Sequence, residues 1–387
     1  MAEKETTKRA LLIAQIADTH LRDSQYATAR RGVDFYRALE ETVDAACARA
    51  DILVAVGDIF DRSRPSPNVI GQLMAIDTRL RKAGKTMLSV TGNHDWCNPT
   101  WLATLFPGRD ADTSGIVPID GETVTVAGYT FAGILPHNAG AFRSHMAEIE
   151  VQARDADVVL YHGLVDGVVP IYTGHSKPLH CDEFPISMNN KAWLLGDIHI
   201  RGHVTRKRPG GGDCVISYPG STEMCSSSEP KDKGFPIWKL TADAMELVEV
   251  VSTPIRPFFS GDIETEEQLD ELVSGCELVA DQHPVVCVKF SRSLPQTINR
   301  LHSVLDAQRS VIRCHPLPDE KSVARRERDD GAGELGMEHF VSKRFEGEPE
   351  MQSVALALLH RGNPDAENIA MDMIEARLAS TGVREDD

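Results

Sequence analysis

Polar side chains of the kinds that bind metals follow three apolar runs in the first hundred residues. Asp18 and His20 end the first run, Asp58 ends the second, and Asn93 and His94 end the third. An α/β sheet builds its chemistry at the carboxyl ends of its strands, so these side chains are expected to meet there. Two divalent ions about 4 Å apart activate a bridging hydroxide and clamp phosphoryl oxygens during in-line attack. The three strings therefore predict a two-metal phosphoesterase.

The donor types indicate how the ions would be shared. Asp18 and His20 are two residues apart at a strand end, so their side chains point the same way and can share one cation. Asp58 lies in a Gly-Asp turn, where its two carboxylate oxygens can bridge two cations. Mixed oxygen and nitrogen donors suit manganese, magnesium, iron or zinc. We expect no thiolate among them, so nothing in the donor set favours zinc.

Two later apolar runs also end at candidate ligands. His162 follows residues 158–161, and Asp197 and His199 follow residues 193–195. A single histidine after a strand is more often a structural residue, but here a two-metal centre still needs donors, and this favours ligation. We expect surface or substrate-loop positions for three other histidines, His175, His180 and His203.

The rest of the first 250 residues alternates apolar runs with helical patterns, which is typical of an α/β domain. Ser66 and Pro67 mark a helix start, and Gly84 marks its end. The pattern predicts strands at 10–17, 52–56, 86–90, 158–161, 193–195, 214–218, 236–240 and 245–251, a hairpin at 123–135, and helices at 32–50, 67–84 and 141–154.

A composition shift after Pro254 indicates a second, smaller domain. Thr265 and Gln268 have the spacing of a capping box, and strands are predicted at 285–290 and 311–314 with a helix between them. A charged stretch follows, and the remainder predicts two helices. We expect four segments (a catalytic domain, a small domain, a linker and a helical tail) at 1–254, 255–318, 319–336 and 337–387.

The composition limits the classes of partner. The chain carries 58 acidic against 41 basic residues, a formal net charge of −17, which argues against a large sequence-independent nucleic-acid surface. The basic clusters at 201–208 and 321–328 are either local DNA contacts or solvated faces. Eight cysteines without a C-x-x-C pair indicate reduced core residues. No apolar stretch reaches the ~20 residues of a membrane helix, and the start lacks a secretory pattern, so we expect cytoplasmic residence without a membrane partner.

The ordered motifs D-x-H, G-D-x-x-D, G-N-H-D, a lone His and G-D-x-H resemble those of the calcineurin-like metallophosphoesterases. Within that superfamily the chain looks most like the SbcD-type nuclease subunit that partners an SMC-like ATPase. The strings at residues 57–67, 218–223 and 233–235 carry this closer resemblance. The superfamily motifs span residues 18–199, and the closer resemblance covers roughly 10–315.

The resemblance implies a four-layer α/β sandwich, in which helices flank two facing mixed sheets, followed by a small α/β capping domain and C-terminal helices. It assigns His94 as the catalytic imidazole that meets the scissile phosphate or protonates the leaving oxygen. Asp95 either orients that imidazole or caps the turn, and Asp61 receives no role. The implied ligands are Asp18, His20, Asp58 and His199 for one metal, and Asp58, Asn93, His162 and Asp197 for the other.

One motif departs from the family pattern. In Gly196-Asp197-Ile198-His199 the Asp197 carboxylate replaces the first imidazole of the usual G-H-x-H. A carboxylate is a legitimate ligand for hard cations, so binding need not fail. Three ligand carboxylates leave the centre less electropositive. We therefore expect two divalent ions, with manganese first and magnesium, iron or zinc as alternatives.

The resemblance alone implies a DNA nuclease with duplex 3′-to-5′ exonuclease and single-strand endonuclease activity in DNA end processing, repair or recombination. Its implied partners are DNA, an SMC-like ATPase gripped by the C-terminal helices, and a second copy in a homodimer. Two alternatives stay open. One is a small-substrate phosphodiesterase or phosphatase of the same fold, and the other is a non-catalytic scaffold, against which the full ligand set argues.

Overall fold

A computed structural model describes residues 8–110, 113–170 and 178–317. Within those ranges the chain forms two six-stranded sheets, a three-stranded sheet and a two-stranded ribbon. None of the described helices combines the length and apolar character needed to cross a bilayer. The strands are β1 (Leu11–Ile16), β2 (Ile52–Val56), β3 (Thr86–Val90), β4 (Gly115–Pro118), β5 (Thr123–Val126), β6 (Tyr129–Ile134), β7 (Val158–His162), β8 (Val165–Asp166), β9 (Leu179–His180), β10 (Ala192–Gly196), β11 (Gly202–Lys207), β12 (Asp213–Tyr218), β13 (Gly234–Leu240), β14 (Met245–Ser252), β15 (Phe258–Ile263), β16 (Val285–Phe290) and β17 (Val311–Pro316). The helices are α1 (Ala29–Arg49), α2 (Pro67–Lys82), α3 (Trp101–Leu105), α4 (Ala139–Ser144), α5 (Met146–Ala153), α6 (Glu266–Leu278) and α7 (Thr297–Val304).

The two large sheets have the orders β14-β13-β1-β2-β3-β4 and β11-β12-β10-β7-β6-β5. In the first, β1 to β4 run parallel. In the second, β6, β7, β10 and β12 run parallel. Because parallel strands end at the same edge, the loops after β1, β2, β3, β7 and β10 can meet on one side of the molecule.

The central strands are buried on both faces. In β2, Val54 and Val56 pack between the two sheets, whereas Leu53 and Ala55 pack toward α1 and α2. A third cluster joins the outer face of the second sheet to α4 and α5. The layers are therefore helix, sheet, sheet and helix, which confirms the predicted four-layer sandwich.

Capping side chains set where two of the helices begin. Ser66 accepts a hydrogen bond from the backbone N–H of Val69, and α2 begins at Pro67 as predicted. Thr28 accepts from the backbone N–H of Arg30, so α1 begins three residues before the predicted start.

The helix predicted at 141–154 is instead two helices, α4 and α5, separated at His145. Asn138 accepts a hydrogen bond from the backbone N–H of Ala141 and starts α4 early. The imidazole Nδ1 of His145 donates to the carbonyl oxygen of Ala141 at 2.8 Å. That contact anchors the turn between the two helices, which continuous periodicity does not predict.

The last described residues form the three-stranded sheet β15-β16-β17, on which α6 and α7 pack through a hydrophobic cluster of their own. Thr265 and Gln268 form the predicted capping box at the start of α6. The domain division at 254 stays a prediction. The predicted linker and C-terminal helices at 319–387 lie outside the described residues.

A buried ion cluster joins α1 to later parts of the chain. The fully buried Arg31 guanidinium donates to Asp34 Oδ2 at 2.9 Å, to Glu223 Oε1 at 3.3 Å and to the carbonyl oxygen of Met224 at 2.9 Å. Asp34 also accepts from Arg256 Nε at 2.7 Å. Removal of the guanidinium would leave buried carboxylates without a counter-ion. We therefore expect Arg31→Ala to lower the free energy of unfolding by about 3–5 kcal/mol in equilibrium urea titrations.

Arg79→Ala is the matched control for this prediction. Arg79 forms ion pairs with Glu40 and Asp44 near the surface, where such pairs contribute about 0–1 kcal/mol. Equal losses of unfolding free energy in the two variants would contradict a structural role for the buried cluster.

Candidate metal centre

The loops after β1 and β2 hold each other through backbone hydrogen bonds. The N–H of Asp18 donates to the carbonyl of Gly57 at 3.1 Å, and the N–H of His20 to that of Asp58 at 2.9 Å. Positive φ angles occur at Asp18 (52°), His20 (44°), Asp58 (49°) and Asp197 (103°). Such backbone costs about 1–3 kcal/mol per residue and persists where surrounding contacts hold it, as at functional sites.

Two glycines let the loops approach closely. A Cβ atom at Gly57, whose φ is 78°, would meet the imidazole of His162, and one at Gly92 would meet the carboxylate of Asp58. Both motifs therefore need glycine, because a candidate ligand from a neighbouring loop occupies the space.

Asp58 lies at the centre of the cluster. Its Oδ2 is 3.7 Å from His20 Nε2 and 3.4 Å from His162 Nε2, and its Oδ1 accepts from the N–H of His94 at 2.9 Å. Asp18, Asp58 and His162 each place one donor atom within 4.8 Å of the other two. A carboxylate between two imidazoles from different strands has the position that bridging requires, although ligation stays a prediction.

His162 is fixed with one nitrogen toward the centre. Its Nδ1 donates to the carbonyl oxygen of Val56 at 2.9 Å, so its Nε2 faces Asn93 Oδ1 at 2.8 Å. Asp197 Oδ1 lies 3.8 Å from the same nitrogen. The structure thus brings together the four residues predicted for one metal, Asp58, Asn93, His162 and Asp197.

The other predicted set also meets around Asp58. His20 Nε2 and His199 Nε2 face each other at 3.1 Å, and Asp18 Oδ1 is 4.0 Å from the latter. The other ring nitrogen of His20, Nδ1, lies 3.6 Å from Asp61 Oδ1. Because a cation would satisfy facing imidazole nitrogens, the residues present fit a metal ion at this position.

His94 presents an exposed ring beside this set. Its imidazole lies edge-on to that of His20, with ring centroids 5.0 Å apart. Its Nδ1 donates to the carbonyl oxygen of Asp61 at 3.1 Å, which leaves Nε2 available. The ring can therefore deliver or accept a proton at Nε2.

Asp95 is buried and binds backbone rather than the neighbouring imidazole. Its Oδ2 accepts from the N–H groups of Ile59 at 2.7 Å and Phe60 at 3.3 Å, and its Oδ1 accepts from that of Gly92 at 2.6 Å. Of its two predicted roles, this geometry favours capping of the turn over orientation of His94.

The histidines expected outside the centre have local contacts where the structure describes them. His180 accepts from the N–H of Asp182 and caps a short turn. His203 lies on β11, edge-on to Trp238. His175 lies outside the described residues.

The basic cluster at 201–208 is largely paired with acids. Arg201 binds Asp232 at 2.7 Å, and Lys207 binds Asp213 at 2.6 Å. This favours the solvated-face interpretation over a DNA contact. The second cluster, at 321–328, lies outside the described residues.

Glu229, which no sequence motif indicates, holds His199 from outside the cluster. Its Oε1 accepts from His199 Nδ1 at 2.8 Å, while its Oε2 accepts from Lys233 Nζ at 2.6 Å, the N–H of Cys225 at 3.1 Å and Ser221 Oγ at 3.2 Å. A carboxylate behind a ligand histidine fixes its tautomer and orientation. The residue lies in a polar loop without a strand end, so only its four-residue spacing from Lys233 offered a signal.

We expect Glu229→Ala to lower metal affinity about 10–100-fold, because the His199 ring would lose the acceptor that orients it. Competition with a chromophoric chelator measures the affinity. Glu183→Ala is the matched control, since Glu183 pairs with Arg143 at the surface. If Glu229→Ala bound metal with unchanged affinity, Glu229 would have no role in orienting a ligand.

Protons occupy the centre when metal is absent. Burial lowers the pKa of His162, but the hydrogen bond and attraction of Asp58 outweigh it and raise the pKa to about 10. Burial also lowers the pKa of His199, but hydrogen bonds and nearby negative charge outweigh it and raise that pKa to about 11. At neutral pH both imidazoles carry the extra proton, whereas ligation needs a lone pair.

Metal binding is therefore expected to release at least about two protons per chain at pH 8, because His162 and His199 are protonated below their pKa values. Affinity should rise with pH, since fewer protons compete as the pH approaches those values. Calorimetric titrations in buffers of different ionisation enthalpy count the protons. Binding without proton release would show that these imidazoles are not ligands.

Comparison with known proteins agrees with this geometry. The calcineurin-like phosphoesterase family matches residues 11–207. A DNA double-strand break repair protein Mre11 from Haloferax volcanii is 30% identical over 242 residues, 61% of this chain and 51% of that protein. The protein of that name from Saccharolobus solfataricus is 27% identical over 223 residues, 56% of each chain. An uncharacterized metallophosphoesterase, YhaO, from Bacillus subtilis is 24% identical over 236 residues, 58% of this chain and 56% of its own.

The chain spans about half the length of these curated relatives. The family match covers just over half of the chain and contains all the strand-end loops that build the cluster. The chain belongs to the calcineurin-like phosphoesterase family.

Proposed function

We propose that this phosphoesterase is a metal-dependent nuclease that hydrolyses phosphodiester bonds in DNA. The position of Asp58 between His20 and His162 carries the proposal, because it allows two cations to lie side by side. The double-strand break repair proteins among its relatives support DNA as the substrate.

Each residue of the site has a separate task in the proposed reaction. Two divalent ions, when bound, supply a nucleophile from water and neutralise charge on the phosphoryl oxygens. Asp58 holds the two positions at a fixed separation, and the Val56 carbonyl keeps Nε2 of His162 free to bind. His94, whose Nδ1 is bound to the Asp61 carbonyl, donates a proton from Nε2 to the leaving oxygen.

A cleft of about 470 Å³ beside the centre supports a nucleotide substrate. Asn93, His162 and Asp197 of the centre line this cleft, together with Trp96 and His137. The Trp96 side chain is an exposed aromatic surface, on which a base at the end of a strand can stack. A bare phosphate ester would leave most of this cleft unfilled.

The proposal extends to the finer activities: duplex 3′-to-5′ exonuclease and single-strand endonuclease action with manganese, in DNA end processing, repair or recombination. It includes an SMC-like ATPase and a second copy of the chain as partners. The net charge of −17 supports a partner that binds DNA together with this chain, because an acidic nuclease attracts the phosphate backbone poorly by itself. The segment proposed to contact the ATPase, 337–387, lies outside the described residues.

The small-substrate phosphodiesterase stays as the alternative, since the same cleft volume accommodates a single nucleotide. The test incubates the full chain with Mn²⁺ and, separately, a 5′-labelled linear duplex, a single-stranded circle and bis-p-nitrophenyl phosphate. A nuclease shortens the duplex from its 3′ ends and opens the circle, and chelation stops both reactions. Hydrolysis of the small ester with intact DNA, even with an ATPase partner present, would favour the alternative.

A further inference from the structure

A third donor faces the imidazole pair of His20 and His199. The sulfur of Cys225 and the nearest nitrogens of the two rings all lie within 4.8 Å of one another. The two Nε2 atoms are themselves 3.1 Å apart. None of the three residues of this group is fully exposed, and Cys225 comes from the loop after β12, far from either histidine in sequence.

The backbone around Cys225 is clamped from several sides. Its N–H donates to Glu229 Oε2 at 3.1 Å, and its carbonyl accepts from Gln25 Nε2 at 2.7 Å. The preceding Met224 is buried in a cluster against the three-stranded sheet, and its carbonyl accepts from Arg31. Glu229 therefore orients the His199 ring and the Cys225 backbone at once, as expected where both serve one ion.

We propose that Cys225 supplies a thiolate ligand to the metal ion held by His20 and His199. Nitrogen and sulfur ligands at about 2.1 and 2.3 Å from one ion lie roughly 3.1–3.6 Å apart, depending on the angle between them, so a small side-chain adjustment from the present separations suffices. On ligation the S–H bond breaks, the sulfur electron pair binds the ion, and the proton leaves to solvent. The inference rests on the metal centre of the proposed function.

A thiolate would make the two metal positions chemically different. Sulfur favours zinc, cobalt or iron, whereas the carboxylate and amide oxygens of Asp58, Asn93 and Asp197 favour manganese or magnesium. This proposal replaces the expectation from the sequence that no thiolate is among the metal donors. We therefore expect the centre to hold a mixed pair of metals, with a softer ion beside Cys225 and a harder ion beside Asp197.

Cobalt reports sulfur ligation directly through thiolate-to-metal charge-transfer absorption in the near ultraviolet. The full chain is stripped of metal under a non-thiol reductant and titrated with Co²⁺. We expect this band in the wild type and in Cys47→Ser, whose partly buried cysteine packs in α1 away from the centre. Cys225→Ser should lose the band while it still binds Co²⁺, as its visible ligand-field spectrum reports. An unchanged band in Cys225→Ser, or no band in the wild type, would overturn the proposal.

Metal preference gives a second readout. Cys225→Ser and Cys225→Ala should bind zinc at least about tenfold more weakly, because even the loss of a residue that only contacts a ligand costs about that much affinity. Their affinity for manganese should change little. Equal losses for both metals would point to a folding defect and contradict a soft ligand. DNA cleavage by the wild type is scored separately, so a charge-transfer band without nuclease activity would refute the proposed function and leave the thiolate in place.

Discussion

Asp58→Ala is expected to lower the rate of metal-dependent phosphodiester hydrolysis by on the order of 10³-fold, which corresponds to about 4 kcal/mol of transition-state stabilisation. The carboxylate lies within 3.7 Å of both His20 Nε2 and His162 Nε2 and receives the N–H of His94. Its removal therefore separates the two halves of the centre and frees the loop that carries His94. We expect the metal content, measured by mass spectrometry, to fall together with the rate.

A surface aspartate provides the control for this change. Asp44 pairs with Arg79 at the protein surface and lies outside the centre, so Asp44→Ala should keep both the metal content and the rate. If Asp58→Ala retained two ions and the wild-type rate, the arrangement of donors around Asp58 would not be the reactive one.

The candidate ligands could be predicted because they follow buried strands. The runs that end at Asp18, Asp58, Asn93 and His162 are apolar on both faces, and this pattern marks central parallel strands whose ends share an edge. The convergence of their side chains follows from the parallel order of the strands, and no contact between them has to be read from the sequence. The sandwich could be predicted for the same reason.

Glu229 and Cys225 could not be predicted, because neither lies at a strand end. Their loop is held by contacts with distant segments, such as those from Gln25 and Arg31 to backbone carbonyls. No periodicity or local motif encodes such contacts. Only the folded chain shows that a carboxylate stands behind His199 and that a thiol faces it.

Two strands of the six-stranded sheets escaped prediction for related reasons. β11 alternates partly buried and exposed residues and carries His, Thr, Arg and Lys, so its apolar signal is weak. β4 has four residues, begins with Gly115 and ends with Pro118, which are typical of turns. Both are edge strands, and the neighbouring strand, β12 for β11 and β3 for β4, supplies the pairing that local composition does not suggest.

His94→Ala is expected to lower the rate of DNA cleavage by about 10²–10⁴-fold without loss of metal, because proton transfer is removed while the carboxylate of Asp58 stays in place. The His94 ring is exposed and contacts the protein through the Asp61 carbonyl and the edge of His20. Its removal should therefore leave the fold intact. His302→Ala, in the solvent-facing part of α7, is the control and should keep the wild-type rate.

The leaving group distinguishes the two roles of this imidazole. A deoxyribose oxygen needs a proton as the bond breaks, whereas p-nitrophenolate departs without one. If His94 is the general acid, the loss in His94→Ala should be at least about tenfold smaller on bis-p-nitrophenyl phosphate than on DNA. Equal losses on both substrates would mean that the ring contacts the phosphate in the transition state instead. Full activity of His94→Ala on both substrates would show that His94 takes no part in the reaction.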